Sequence, residues 1–172
     1  MDSVGTIYVL DYGNLRVQKW LKGAKSGITV AGGNGRGSAP NQFNEPSGIY
    51  VDNVGNIYVA DRFNNRIQKF IPGSTNGITV ALTVAPHSVF VDKKGSIYAD
   101  DNGISIKRFN PNDLNGKIVA EAEMLAQVIK TLRFPAVGGR NCREFSNNLE
   151  KSQFFKYFRN FESGDYSHLG RQ

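Results

Sequence analysis

The chain has 172 residues, 40% hydrophobic and 21% charged, ordinary proportions for a globular protein of one domain with, at most, a small appendage. No apolar run reaches the roughly 18–20 residues that a membrane span needs, and the single cysteine, Cys142, excludes an internal disulfide framework. The net charge of +6 invites an anionic partner, but no dense block of like charges occurs, and Lys and Arg on solvent-facing positions account for it. With neither a basic n-region nor an apolar h-region after Met1, a cytoplasmic location is the default expectation.

Short strands come first and recur. Gly5-Thr6-Ile7-Tyr8-Val9-Leu10-Asp11 returns as Gly55-Asn56-Ile57-Tyr58-Val59-Ala60-Asp61 and again as Gly95-Ser96-Ile97-Tyr98-Ala99-Asp100-Asp101. A second strand follows each copy, predicted over Leu15–Trp20, Asn65–Phe70 and Ser105–Phe109. A third follows as Gly27-Ile28-Thr29-Val30-Ala31, Gly77-Ile78-Thr79-Val80-Ala81 and, more loosely, Gly116-Lys117-Ile118-Val119-Ala120. A fourth precedes the second and third copies, at Pro46–Asp52 and Pro86–Asp92. Four short strands per unit of about 40 residues read as a propeller blade. Blades are expected at 1–45, 46–85 and 86–121.

The turns carry their own chemistry. Asp52 and Asp92 open turns in which a carboxylate accepts local backbone N–H bonds, and Gly55 and Gly95, three residues on, suit a left-handed position. Asp11 and Asp61 each precede an arginine, Arg16 or Arg66, by five residues, which predicts a carboxylate–guanidinium pair bracing each hairpin. In the third copy Ser105 stands where those arginines stand, so the pair is expected in two blades alone.

Gly55-Asn56-Ile57-Tyr58-Val59-Ala60-Asp61 followed by Asn64-Asn65-Arg66-Ile67-Gln68-Lys69-Phe70 resembles the NHL repeat. The resemblance covers residues 1 to about 121 and implies a six-bladed propeller. The fold expected is therefore all-β, an incomplete β-propeller of about three four-stranded NHL-type blades. With three, four and four strands the ring is not closed, and the sequence suggests part of a longer protein, pairing with copies of itself, or an open arc of marginal stability. The resemblance implies a non-catalytic scaffold acting in protein–protein interaction through a propeller face, as in the recruitment of targets by NHL-containing ubiquitin ligases. Single-stranded RNA binding on a basic face is the alternative it implies, with Arg62, Arg66, Lys69, Lys93 and Lys94 as the residues concerned.

Residues 122–172 read differently, as a short α-helical or disordered tail. Met124, Leu125, Val128, Ile129 and Leu132 have the spacing of an amphipathic helix over Glu121–Leu132, which Pro135 would end. Asn147–Glu162 is a second candidate helix, and Phe154, Phe155, Phe158 and Phe161 give it an aromatic packing face.

Catalytic patterns are weak. Gly32–Ser38 looks superficially like a phosphate-cradling loop, but Gly37 stands in the lysine position and no helix follows. Metal-dependent lyases and lactonases occur on six-bladed propellers and remain a remote alternative. They converge several ligands on a channel, and His87 alone opens an inner strand here. Cys142 has no activating neighbour. No enzyme activity, cofactor, metal or membrane contact is expected.

Overall fold

The computed structural model describes residues 5–121. The tail helices expected over Glu121–Leu132 and Asn147–Glu162 lie, but for Glu121, outside the described residues. Glu121, expected to open a helix, instead closes the last strand.

Among the described residues, eleven strands form three antiparallel sheets. The first holds β1 (Ile7–Asp11), β2 (Arg16–Trp20) and β3 (Ile28–Gly32). The second holds β4 (Pro46–Val51), β5 (Ile57–Asp61), β6 (Arg66–Phe70) and β7 (Ile78–Leu82). The third holds β8 (Val89–Val91), β9 (Ile97–Asp101), β10 (Ser105–Phe109) and β11 (Lys117–Glu121). Each sheet is a meander in sequence order, the blade architecture expected. The register also repeats, with Asp11 opposite Arg16, Asp61 opposite Arg66 and Asp101 opposite Ser105. A bulge recurs at one place on the strand beside each outermost one, between Val17 and Gln18, Ile67 and Gln68, and Ile106 and Lys107.

Strand period explains the packing. Successive side chains of a strand point to opposite faces. Ile57 and Val59 of β5 pack with Val17, Ala31 and Phe43 on one side, and Tyr58 and Ala60 pack with Val89, Val91 and Ala99 on the other. All five residues of β5 are buried as a result, whereas β1, of nearly identical sequence, alternates exposed and half-buried positions. Burying a side chain such as Val59, Ile67 or Phe70 contributes about 1.5–3 kcal/mol, so the faces of the middle sheet are where most of the described core resides.

The turns at Asp52 and Asp92 form as the sequence predicts. Asp52 accepts the N–H groups of Val54 and Asn56, and Asp92 those of Lys94 and Ser96. Gly55 and Gly95 sit at φ +88° and +82°, where a side chain would be strained.

The other hairpins depart from the reading of Leu15 and Asn65 as strand. A single 3₁₀ turn, Tyr12–Asn14 or Arg62–Asn64, follows the aspartate, and Leu15 or Asn65 ends it in the left-handed conformation. The side-chain amide of Asn14 or Asn64 closes the turn onto Asp11 or Asp61. Asn tolerates the left-handed conformation and Leu does not, so the first hairpin holds the same geometry with the poorer residue.

Candidate binding surface

The inner strands β4 and β8 lie side by side and run the same way. Ser47 Oγ donates to the Pro86 carbonyl at 2.7 Å, and the rings of Tyr50 and Phe90 meet edge to face at 5.3 Å. Both strands start at the end carrying the 3₁₀ turns and inter-sheet crossovers, here the hairpin end. Both finish at the Asp52 and Asp92 turns, the opposite end.

Each hairpin is held by a carboxylate. In the second sheet Asp61 is fully buried, and its Oδ2 accepts Arg66 Nε and Asn64 Nδ2, each at 2.8 Å. Its Oδ1 takes the Asn44 N–H at 2.7 Å. Arg66 also donates to the carbonyls of Ser38, Ala39 and Gln42, which staples the glycine-rich crossover onto this sheet. Within that crossover, a Cβ on Gly32 would lie 2.4 Å from both the Leu15 carbonyl and the Phe43 ring, and the residue sits at φ +71°. Close packing therefore requires this glycine, and no phosphate is needed to explain it.

In the first sheet Arg16 Nε meets Asp11 at 2.9 Å in a more exposed setting. Hydrogen bonds from Asn14 and then Arg16 hold the Asp11 carboxyl below its ordinary pKa of 3.8.

The third sheet also has a pair, which the sequence reading missed. Lys107 Nζ lies 2.9 Å from Asp101. Lys107 is two residues beyond Ser105, on the same face of β10, in the position that Gln18 and Gln68 occupy in β2 and β6. Burial raises the Asp101 carboxyl, but the Lys107 ammonium, the Val84 N–H and the Thr83 hydroxyl outweigh it, leaving the pKa below 3.8.

Asp100 occupies the place of Ala60. It takes the N–H groups of His87 and Ser88 at 2.6 and 2.7 Å and lies 3.1 Å from His87 Nδ1. Those two N–H groups point at a side chain instead of a neighbouring strand, and β8 starts at Val89, later in its repeat than Pro46 does. Among the described residues, no group of three or more His, Cys, Asp or Glu is gathered as for a metal ion.

The five basic residues singled out from the sequence are divided. Arg62 and Arg66 stand at the hairpin end. Lys93 and Lys94 are exposed in the Asp92 turn at the opposite end. Lys69 lies over the Tyr58 ring at 5.5 Å, as Lys19 lies over Tyr8 at 5.7 Å. Arg66 is committed to four internal acceptors. The Arg62 guanidinium lies over the Phe63 ring at 5.1 Å, and its Nε is buried with no partner among the described residues.

Sequence reasoning also passed over the apolar residues at the hairpin end. Tyr12, Phe63 and Ile104, one in each hairpin turn, are 53%, 52% and 63% exposed, and Val84 in the last crossover is 52% exposed. The signal was present, because a large apolar residue in a tight turn has no core to serve. The Tyr12 hydroxyl donates to the Glu45 carboxylate, which Arg36 also meets, and the Phe63 N–H donates to the Asn44 carbonyl. Tyr12 and Phe63 therefore flank the Asn44–Glu45 dipeptide.

Residues 43–70 match the model of the NHL repeat. Among solved structures, one titled "Streptogramin B lyase structure" shares the fold, with a TM-score of 0.51 and 19% identity over 68% of this chain. The match covers 37% of that protein's chain, so this sequence spans little more than a third of it. No curated protein matches the chain.

Proposed function

We propose that this chain, an incomplete β-propeller with an NHL repeat at residues 43–70, is a non-catalytic binding module that engages a protein partner through its hairpin end. The observation that carries this reading is the exposure of Tyr12, Phe63, Ile104 and Val84 at that end. Interfaces concentrate their energy in a few aromatic and arginine anchors on a rigid support. Here the support is the carboxylate-stapled hairpin beneath each turn. Recruitment of a target to a ubiquitin ligase, which the family resemblance implies, would use this same end.

Quantitative affinity capture with the immobilised chain tests the reading. A defined set of proteins should be retained by wild type and by the rim control Ile28→Ser, and lost from Phe63→Ser and Ile104→Ser. Retention of the same set by all four would refute it.

A second reading, single-stranded RNA binding, draws support from Lys93 and Lys94, exposed at the opposite end. Binding there would weaken steeply with salt, because phosphate contacts release counterions, and would survive Phe63→Ser. Arg66 is less available to it, since Asp61 and three carbonyls take four of its N–H donors.

A further inference from the structure

We infer that Arg62, whose guanidinium lies over the Phe63 ring, is the anchor for a carboxylate side chain of the partner, so that the hairpin end takes acidic segments with apolar flanks. This rests on the protein-binding reading above and names the chemistry it selects.

The other arginines of the hairpin end are already paired: Arg16 with Asp11, Arg36 with Glu45 and Arg66 with Asp61. Among the described residues, no oxygen accepts from Arg62, although its Nε is removed from water. A guanidinium that is partly dehydrated and held over a ring has already lost part of the hydration and freedom that binding removes, and its fork matches a carboxylate. The same position holds Tyr12 in the first hairpin and Asn102 in the third, so the charge belongs to this hairpin alone. The apolar flanks are equally local, because the Asn44 carbonyl holds the Phe63 N–H and Glu45 holds the Tyr12 hydroxyl.

Charge complementarity favours one carboxylate over a nucleic-acid strand. A polyanion needs several free cations in a row. At the hairpin end the other arginines, Arg16, Arg36 and Arg66, are matched by carboxylates, which leaves no such row.

The test pans a random twelve-residue peptide library displayed on phage against the full chain and measures the selected peptides by fluorescence anisotropy. Enriched sequences should share an Asp or Glu beside aromatic or aliphatic residues. Arg62→Met should weaken them roughly tenfold or more, as loss of a charge-assisted bond implies. Arg62→Lys should fall between. Changing the peptide's carboxylate to the carboxamide should weaken binding to wild type by the same factor and have little further effect on Arg62→Met. That peptide-side change needs no variant protein to fold.

Enriched peptides that need Phe63 but ignore both Arg62→Met and the carboxamide change would overturn the carboxylate anchor and leave the protein-binding reading standing. No enrichment, or enrichment indifferent to Phe63→Ser and Arg62→Met alike, would overturn both. Tighter, Arg62-dependent binding of oligo-uridine would reassign the site to phosphate.

Discussion

The second and third sheets solve one problem in two ways. In both, a carboxylate at the end of the second strand holds the crossover arriving from the previous sheet, Asp61 through the Asn44 N–H and Asp101 through the Val84 N–H. In both, a cation on the next strand neutralises it. The second sheet uses Arg66, directly opposite, whose remaining donors hold the crossover as well. The third uses Lys107, two residues along the same face, whose compact ammonium reaches back to Asp101. What recurs is a charge in a place, not a residue at a sequence offset. Arg66 ties together three segments, whereas Lys107 ties two.

The comparison yields four tests, taken from the largest expected effect down. Asp61→Ala should destabilise the chain by about 3–5 kcal/mol, because it strands a nearly buried guanidinium, and urea unfolding would show the shift in midpoint. A loss comparable to that of an exposed pair would mean the second sheet has no special hold on its crossover. Arg66→Lys should remove about 1–3 kcal/mol, since carbonyls of the crossover then lose a donor. Susceptibility to limited proteolysis between Gly33 and Gln42 should rise with it.

For the third sheet, a double-mutant cycle of Asp101→Asn and Lys107→Met should give a coupling of roughly 0.5–1.5 kcal/mol, and a smaller one for Asp11 with the more exposed Arg16. Equal couplings would show that position along the strand does not matter.

The smallest effect is the pH dependence. The carboxyls of Asp11 and Asp101 are both lowered in the folded chain. Their stabilisation is therefore complete above the unfolded carboxyl pKa of about 3.9 and is lost as pH falls through the lower folded values. Asp101→Asn should flatten the acid limb of a stability–pH curve below about pH 4. An unchanged limb would show that Lys107 and Val84 do not hold that carboxyl.

These pairs also mark how far the sequence could be read. The strands and the Asp52 and Asp92 turns were legible because their causes are local, a period of two and a carboxylate within four residues of the N–H groups it accepts. The hairpin pairs at Asp11 and Asp61 were legible for the same reason. Lys107 was missed because the search was for arginine at a fixed spacing, when the geometry asks only for a cation on the same face. The 3₁₀ turns hid behind Leu15, a residue that rarely adopts the left-handed conformation. The attachment of Arg66 to Ser38, Ala39 and Gln42 spans 24 to 28 residues and leaves no local pattern. Arg62 was named from the sequence for a basic face, but its place over Phe63, without a carboxylate among the described residues, leaves no local pattern to read.

The burial of β5 on both faces bears on how the molecule opens. Sheets arranged in a row, each packed on its neighbours, unfold as a chain of coupled units, and the unit in the middle parts from its surroundings only when two interfaces yield together. The amide protons of Tyr58, Val59 and Ala60 should therefore exchange with solvent on the timescale of global unfolding, and those of β1 much sooner, through partial openings that never reach the centre. Two strands with almost the same residues would then differ in lifetime because, among the described residues, one has a packed sheet on each side.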